Sequence, residues 1–411
     1  MRGRKTRTLS AMSKVSRRGV FGYAGAAGIA GAAGVVAGRA TASPPPDPRT
    51  DGGVVGQTYS PYGAHQAGIF TPKTQVSELV AFDLLPQTDK AALGRLLRAW
   101  TGDVVALTEG RPAAGDFAPH MAQPGVSLTA LVGLGPRVFE LDGLQAKRPA
   151  GFQEIPPMQH DALDRRWTGG DLLVWVSADD ATSVAHAVRR FVTDAAPFAT
   201  RRWAQRGSWR SVDAMGAAVT GRNLFGQVDG SANPTGDTLS AAVVSTDEWL
   251  TGGTQLVVRR IEMDLVGWDE AVRDRQEASV GRRLDTGAPL TGGGERDDVD
   301  LGATQDGAPV IALDAHSRRS HPSLNNGRRM LRRGLNYTHD DWVDGTAVET
   351  SGLIFCAFQA DIADQFIPVQ RMLDQGDALN EWTTAIGSAV FVIPPGFQEG
   401  GWIGEGLFTG E

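Results

Sequence analysis

The 411-residue chain reads as an α+β protein of two ferredoxin-like halves, antiparallel sheets with peripheral helices packed as one compact unit. Three observations point there. Residues 76–192 run strand, helix, strand, strand, helix, the outline of such a half. Apolar strand-like runs return at 254–261, 331–337 and 352–359. Strands and helices are mixed instead of strictly alternating, which disfavours a doubly wound parallel sheet.

Residues 76–84 are apolar with β-branched and aromatic content, hence a strand. Residues 89–100 place Leu93, Leu96, Leu97 and Trp100 on one helical face. Residues 126–133 and 171–177 give two further strands, and 180–192 an amphipathic helix behind an N-cap. The second half starts near Arg222. After the strand at 254–261 comes a helical stretch at 266–276. The Gly-, Asp- and Thr-rich residues 281–312 then read as a long ordered loop. Residues 361–373 read as a helix interrupted by Pro368. The expected divisions are 1–42, 43–58, 59–221 and 222–411.

The first 42 residues stand apart. They hold eight basic residues and no acid, with Ser16-Arg17-Arg18 ahead of a Gly/Ala-rich stretch and Ala40-Thr41-Ala42 before three prolines. That is the layout of a twin-arginine export signal, with a membrane anchor as the alternative. Seven glycines between Gly19 and Gly38 make a poor spanning helix. Export would place the protein in the periplasm, the cell envelope or the medium, with the twin-arginine translocase as a transient partner. Residues 43–58 read as a flexible lead-in. Removing the signal would move the formal net charge from −7 to −15. Such acidity argues against nucleic acid as the main partner. A single cysteine, Cys356, excludes an internal disulfide and any cysteine-only metal site, and its apolar surroundings suit a buried thiol.

The chemistry-bearing residues cluster after 222. The segment at 223–234, Asn-Leu-Phe-Gly-Gln-Val-Asp-Gly-Ser-Ala-Asn-Pro, frames Asp229 between glycines. Asp229 is either a turn aspartate or an acid–base carboxylate facing a pocket. His316 lies five residues before His321, a pair that also admits a zinc reading, although no helical i, i+4 ligand set supports it. Arg332 is a strand arginine whose neighbour Arg333 should face the other way. Leu353 and Phe355, two apart, share a strand face.

Taken together, these pieces resemble the dye-decolourising haem peroxidases. The GxxDG signature falls on Gly226, Gln227, Asp229 and Gly230. Further matching blocks lie at 65–69, 249–261, 281–290 and 365–370, so the resemblance runs from residue 59 to the C-terminus. Gln227 stands where many members carry an aromatic, and Ser231 where threonine is usual. The resemblance implies one non-covalently bound haem b per chain, with His316 as axial iron ligand and the opposite face open to hydrogen peroxide. Asp229 would move the peroxide proton, and Arg332 would stabilise developing negative charge. Gly226, Gln227, Gly230, Ser231, Leu353 and Phe355 would line the cofactor. Arg318 would meet a propionate, against the alternative of simple exposure. Asp361 would accept from the His316 ring, against the alternative of a helix N-cap. Tyr337 and Trp342 are candidate electron relays or plain structural aromatics.

The implied activity is reduction of hydrogen peroxide to water with one-electron oxidation of an organic donor such as a dye or phenol. The alternatives are an exported haem- or iron-handling protein and a peroxide-consuming redox partner of another exported enzyme.

Overall fold

The computed structural model describes residues 56–409, apart from Ala214, Asp344 and the side chains of 341–343. The export signal and most of the lead-in lie outside the described residues. Four strands and two helices make the first half: β1 (Val76–Leu84), α1 (Lys90–Thr108), β2 (Thr129–Leu134), β3 (Leu172–Ala178), α2 (Ala181–Ala195) and β4 (Ala199–Ser208). The strands lie in the order β2-β3-β1-β4, all antiparallel. Both helices begin where an aspartate satisfies a free backbone donor. Asp89 accepts from Ala92 N at 2.7 Å, and Asp180 from Ser183 N at 2.7 Å. The expected apolar face of α1 is buried throughout: Leu93, Leu96, Leu97 and Trp100 are fully covered.

The second half repeats this connectivity with insertions. It runs α3 (Gly236–Val243), β5 (Thr254–Met263), α4 (Leu265–Glu270), α5 (Arg273–Val280) and a small hairpin of β6 (Thr304–Gln305) and β7 (Ala308–Pro309). Then follow α6 (His316–Arg319), β8 (Leu331–Arg332), β9 (Leu335–Val343), β10 (Thr346–Gln359), α7 (Ile367–Asp374) and β11 (Thr383–Ile393). Its main strands order as β11-β5-β10-β9, the same pattern as the first sheet. Two narrow seams join the sheets. Leu134 of β2 meets Val392 of β11, and Ser208 of β4 meets Asn336 of β9. Eight strands therefore close into a ring.

Because both faces of the first sheet are covered, β1 buries residues on both sides of its pleat. Val80 and Phe82 pack with α1 and α2, and Leu79 and Ala81 pack toward Leu256, Val258, Ile354 and Phe391 of the second half. Burying a large apolar side chain is worth roughly 1.5–3 kcal/mol, so these two layers dominate cohesion.

Four details differ from the sequence reading. Strands β4 and β11 were not expected. The helical stretch at 266–276 is two helices separated at Ala271 and Val272, the first capped by Asp264 on Gly267 N. The run at 331–337 is broken between Arg332 and Leu335. Pro368 does not interrupt a helix; it occupies the first turn of α7, where its missing N–H costs nothing, after a π-helical turn at Ile362–Phe366. No helix among the described residues is long and apolar enough to cross a membrane.

Candidate active site

Asp229 sits in a turn wound around Asn223. The Asn223 Oδ1 accepts from Phe225 N and Gln227 N, and its Nδ2 donates to Gln227 Oε1 at 2.9 Å and Asp229 Oδ2 at 3.5 Å. Gly226 and Gly230 flank the carboxylate with φ of +78° and +132°, values that a side chain disfavours. Asp229 N donates to Gly221 O, and Ser231 Oγ to Glu295 Oε1 at 3.1 Å. Arg222 ties this turn to the long loop, donating to Gly226 O at 2.7 Å and to the Leu284 and Asp285 carbonyls.

Arg332 reaches the turn from β8. Its Nη1 lies 3.2 Å from Asp229 Oδ1. Its backbone is held in both directions by one amide: Asn233 Nδ2 donates to Arg332 O at 2.9 Å, and Arg332 N donates to Asn233 Oδ1 at 3.0 Å. Strand alternation works as expected, because buried Arg333 turns away and donates to Thr71 O at 2.7 Å.

His316 opens the short helix α6. Its Nδ1 lies 2.5 Å from Asp377 Oδ2, while Asp377 Oδ1 accepts from Leu379 N and caps the turn after α7. Asp361 is therefore not the histidine's acceptor: it caps the π-helical turn by accepting from Asp364 N. Burial alone would depress the imidazole, but the charge and hydrogen bond of Asp377 outweigh it and raise the pKa above the ordinary histidine value. Arg332 opposes that rise and Asp229 adds to it, so all three residues act across one space. All three side chains are partly accessible, 31% for His316, 27% for Arg332 and 18% for Asp229.

Leu353 is buried, and its Cδ1 would stand 3.1 Å from a Cβ placed on Gly334, just after Arg332. Phe355 is half-buried beside Phe366. Arg318 donates Nε to Ile311 O and Nη2 to Leu301 O, clamping the long loop. His321 gives its ring to Ser323 and Asp298. Cys356 is a free thiol in the core, and burial pushes its pKa up. The Tyr337 phenol is buried with no hydrogen-bond partner among the described residues, and burial pushes it up to about 12. The Arg260 guanidinium lies 3.6 Å from the Tyr337 ring and 4.3 Å from that of Trp167. A cation on the ring and no acceptor for the phenolic proton favour the structural alternative for Tyr337 over the relay. The Trp342 side chain lies outside the described residues.

These residues suit a haem. An imidazole anchored through Nδ1 presents Nε2 to a metal, as ligating histidines do. A guanidinium and a carboxylate in contact with each other act electrostatically on that imidazole. Two like sheets with such a site define a haem peroxidase. The chain matches the Dyp-type peroxidase N-terminal model over residues 66–208 and the C-terminal model over 220–398. It belongs to the Dyp-type peroxidase family. It is 38% identical over 367 residues to the dye-decolorizing peroxidase of Thermobifida fusca, covering 84% of each chain. It is 34% identical over 361 residues to the deferrochelatase of Escherichia coli K12, covering 82% of this chain and 84% of that one. Among solved structures, the DyP-type peroxidase of Cellulomonas bogoriensis aligns with a TM-score of 0.82 at 44% identity, over 87% of this chain and all of that one. An oxyferrous complex of DtpA from Streptomyces lividans aligns with a TM-score of 0.82 at 37% identity, over 87% and 99%. The protein is thus an oxidoreductase acting on hydrogen peroxide, and haem is its cofactor.

Three site residues had no sequence signal of their own. Asp377 is 61 positions from His316, and Asn233 is 99 from Arg332. Asn223 was inside the motif, but its role as the hub of the turn needed the backbone path.

Proposed function

We propose that His316 would hold the iron of haem b and that Asp229 and Arg332 form the pair that cleaves peroxide. The carrying observation is the 3.2 Å Asp229–Arg332 contact, both partners of which act electrostatically on a histidine already oriented by a carboxylate. Bound haem supplies the redox chemistry, two oxidising equivalents taken from peroxide and returned in one-electron steps to a donor. Asp229 accepts the proton from one peroxide oxygen and delivers it to the other, so that the leaving oxygen departs as water. Arg332 offsets the negative charge that builds while the O–O bond breaks. Asn233 keeps that guanidinium in place through the backbone. Leu353 and Phe355 keep water away from the distal side, which strengthens both electrostatic effects. Asp377 raises the basicity of the His316 nitrogen that faces the metal. Gly226, Gln227, Gly230 and Ser231 would help to hold the haem, and Arg318 Nη1 would be the group for a propionate.

The donor class is dyes, phenols or similar organic reductants. The Escherichia coli relative's name, deferrochelatase, offers haem or iron handling as the competing reading; the acid–base pair favours peroxide chemistry. A separate exported redox partner would reveal itself by restoring activity to a protein weak alone. Residues 1–42 are proposed to direct export through the twin-arginine translocase. The decisive experiment is the absorption spectrum of purified protein before and after one equivalent of hydrogen peroxide. His316→Ala should lose or alter the Soret band. Arg332→Leu should retain haem and react slowly with peroxide. Normal haem binding by His316→Ala removes the ligand assignment, and unimpaired peroxide reaction in Arg332→Leu favours the haem-handling reading.

A further inference from the structure

A second carboxylate stands behind the Asp229 turn. Glu295, on the long loop between α5 and α6, is half-buried, and its Oε1 accepts two hydroxyls: Thr220 Oγ1 at 2.6 Å and Ser231 Oγ at 3.1 Å. Those hydroxyls bracket Asp229 in the chain. Thr220 precedes Gly221, whose carbonyl accepts the Asp229 N–H, and Ser231 follows Gly230, whose φ is +132°. One oxygen thus gathers both ends of the segment that carries the proposed acid–base group. We propose that Glu295 is a positioning residue for Asp229, drawing Thr220 and Ser231 together so that the carboxyl stays opposite Arg332. The proposal rests on the role given to Asp229 above.

The surroundings hold Glu295 in place. Arg282 Nη1 donates to the Glu295 carbonyl at 2.9 Å and to Gly287 O at 2.9 Å, and its Nη2 donates to Asp297 O at 3.0 Å. Arg296 Nη2 donates to Thr220 Oγ1 at 3.4 Å, which leaves the threonine hydroxyl proton for Glu295. The charged groups about the site are Arg282, Arg296, Arg332, Asp229, Asp297 and Asp298, and Arg282 feels Arg332, Glu295, Asp297 and Asp298. The Glu295 carboxylate bonds the two hydroxyls, and those bonds are the specific feature of the clamp. A loop glycine supports the fit: a Cβ on Gly287 would stand 2.9 Å from the Val228 Cβ and 3.1 Å from the Glu295 Cγ, so the long loop packs directly against the Asp229 turn.

The test uses the haem-loaded protein and two readouts. Glu295→Ala removes the acceptor, whereas Glu295→Gln keeps an oxygen in the same place without the charge. In Glu295→Ala the peroxide rate constant should fall roughly 10- to 100-fold, the scale of a misplacement near 1 Å. The shape of its pH profile should change, and amide hydrogen exchange across 220–233 should accelerate. Glu295→Gln should restore all three to near wild type. Thr220→Val with Ser231→Ala, which removes the donors instead, should reproduce Glu295→Ala. Wild-type exchange across 220–233 in Glu295→Ala would overturn the proposal. So would a Glu295→Gln protein as impaired as Glu295→Ala, because charge would then be the cause. Asp229→Asn is the control that separates the two claims. If its peroxide rate is unchanged, the acid–base reading fails, and the clamp is then judged on exchange alone.

Discussion

Asp377 divides its two oxygens between structure and chemistry, one capping a turn and the other holding the His316 ring. Asp377→Asn should keep the cap and weaken the histidine's donor strength. Haem transfer to an apo-acceptor should then speed up about 10- to 100-fold, the usual cost of losing such an outer partner; an unchanged transfer rate would exclude the role. Asn233→Ala strips both backbone contacts from Arg332 and should cost ~1–3 kcal/mol in denaturant unfolding, with a slower peroxide step. An intact peroxide rate in a destabilised variant would confine Asn233 to folding. Asp229, Arg332 and His316, which the structure couples to one another, could be singled out because each sits in a short recognisable stretch. Asp377 was not, because its partner is distant in sequence and nearer aspartates such as Asp361 compete for the role. Asp361 had a ready alternative in its capping pattern, and that is where the structure puts it.

At the scale of elements, strongly apolar or well-capped segments announced themselves: β1, α1 and α2 needed little beyond periodicity and an N-terminal aspartate. Strand β4 hid because its exposed positions are mostly arginines, with Trp203, Gln205 and Gly207 buried between them. Strand β11 carries a short run of β-branched and aromatic residues, which periodicity alone does not tell from a buried helix segment. Breaks were harder, since they come from neighbours. Gly352 shows this at the seam of β5 and β10: a Cβ there would lie 2.0 Å from Ile261 O and 2.9 Å from the Tyr337 ring. Gly352→Ala should therefore destabilise by about 1–3 kcal/mol or more, read as a lower denaturant midpoint. An unchanged midpoint would mean that β5 and β10 can separate without loss.

For the molecule as a whole, the first half carries a buried charge cluster remote from the haem residues. Burial, reinforced by the neighbouring Asp194 carboxylate, pushes Asp103 up to about 8, while Arg190 at 3.8 Å pulls the other way. Folded Asp103 thus keeps a proton that the unfolded chain releases near its ordinary value of 3.8. Its contribution is fully present below that value and is lost as pH rises toward 8. Asp103→Asn should gain in melting temperature relative to wild type between pH 5 and pH 8; an equal difference at both would dissociate the cluster from the pH response. The duplicated layout was legible as an outline, but ring closure was not, since each seam rests on a single residue pair that no local pattern encodes. That closure governs how the protein meets copies of itself. A strand with one side unpaired is a template for intermolecular pairing and aggregation. Here each ring strand has a neighbour on both sides at least at one position, and the β9–β10 hairpin projects past β5, so that among the described residues Thr346 to Ser351 pair with β9 alone. Asp340 and Glu349 face each other across that projection, so an exposed strand edge able to recruit another chain is guarded by like charges.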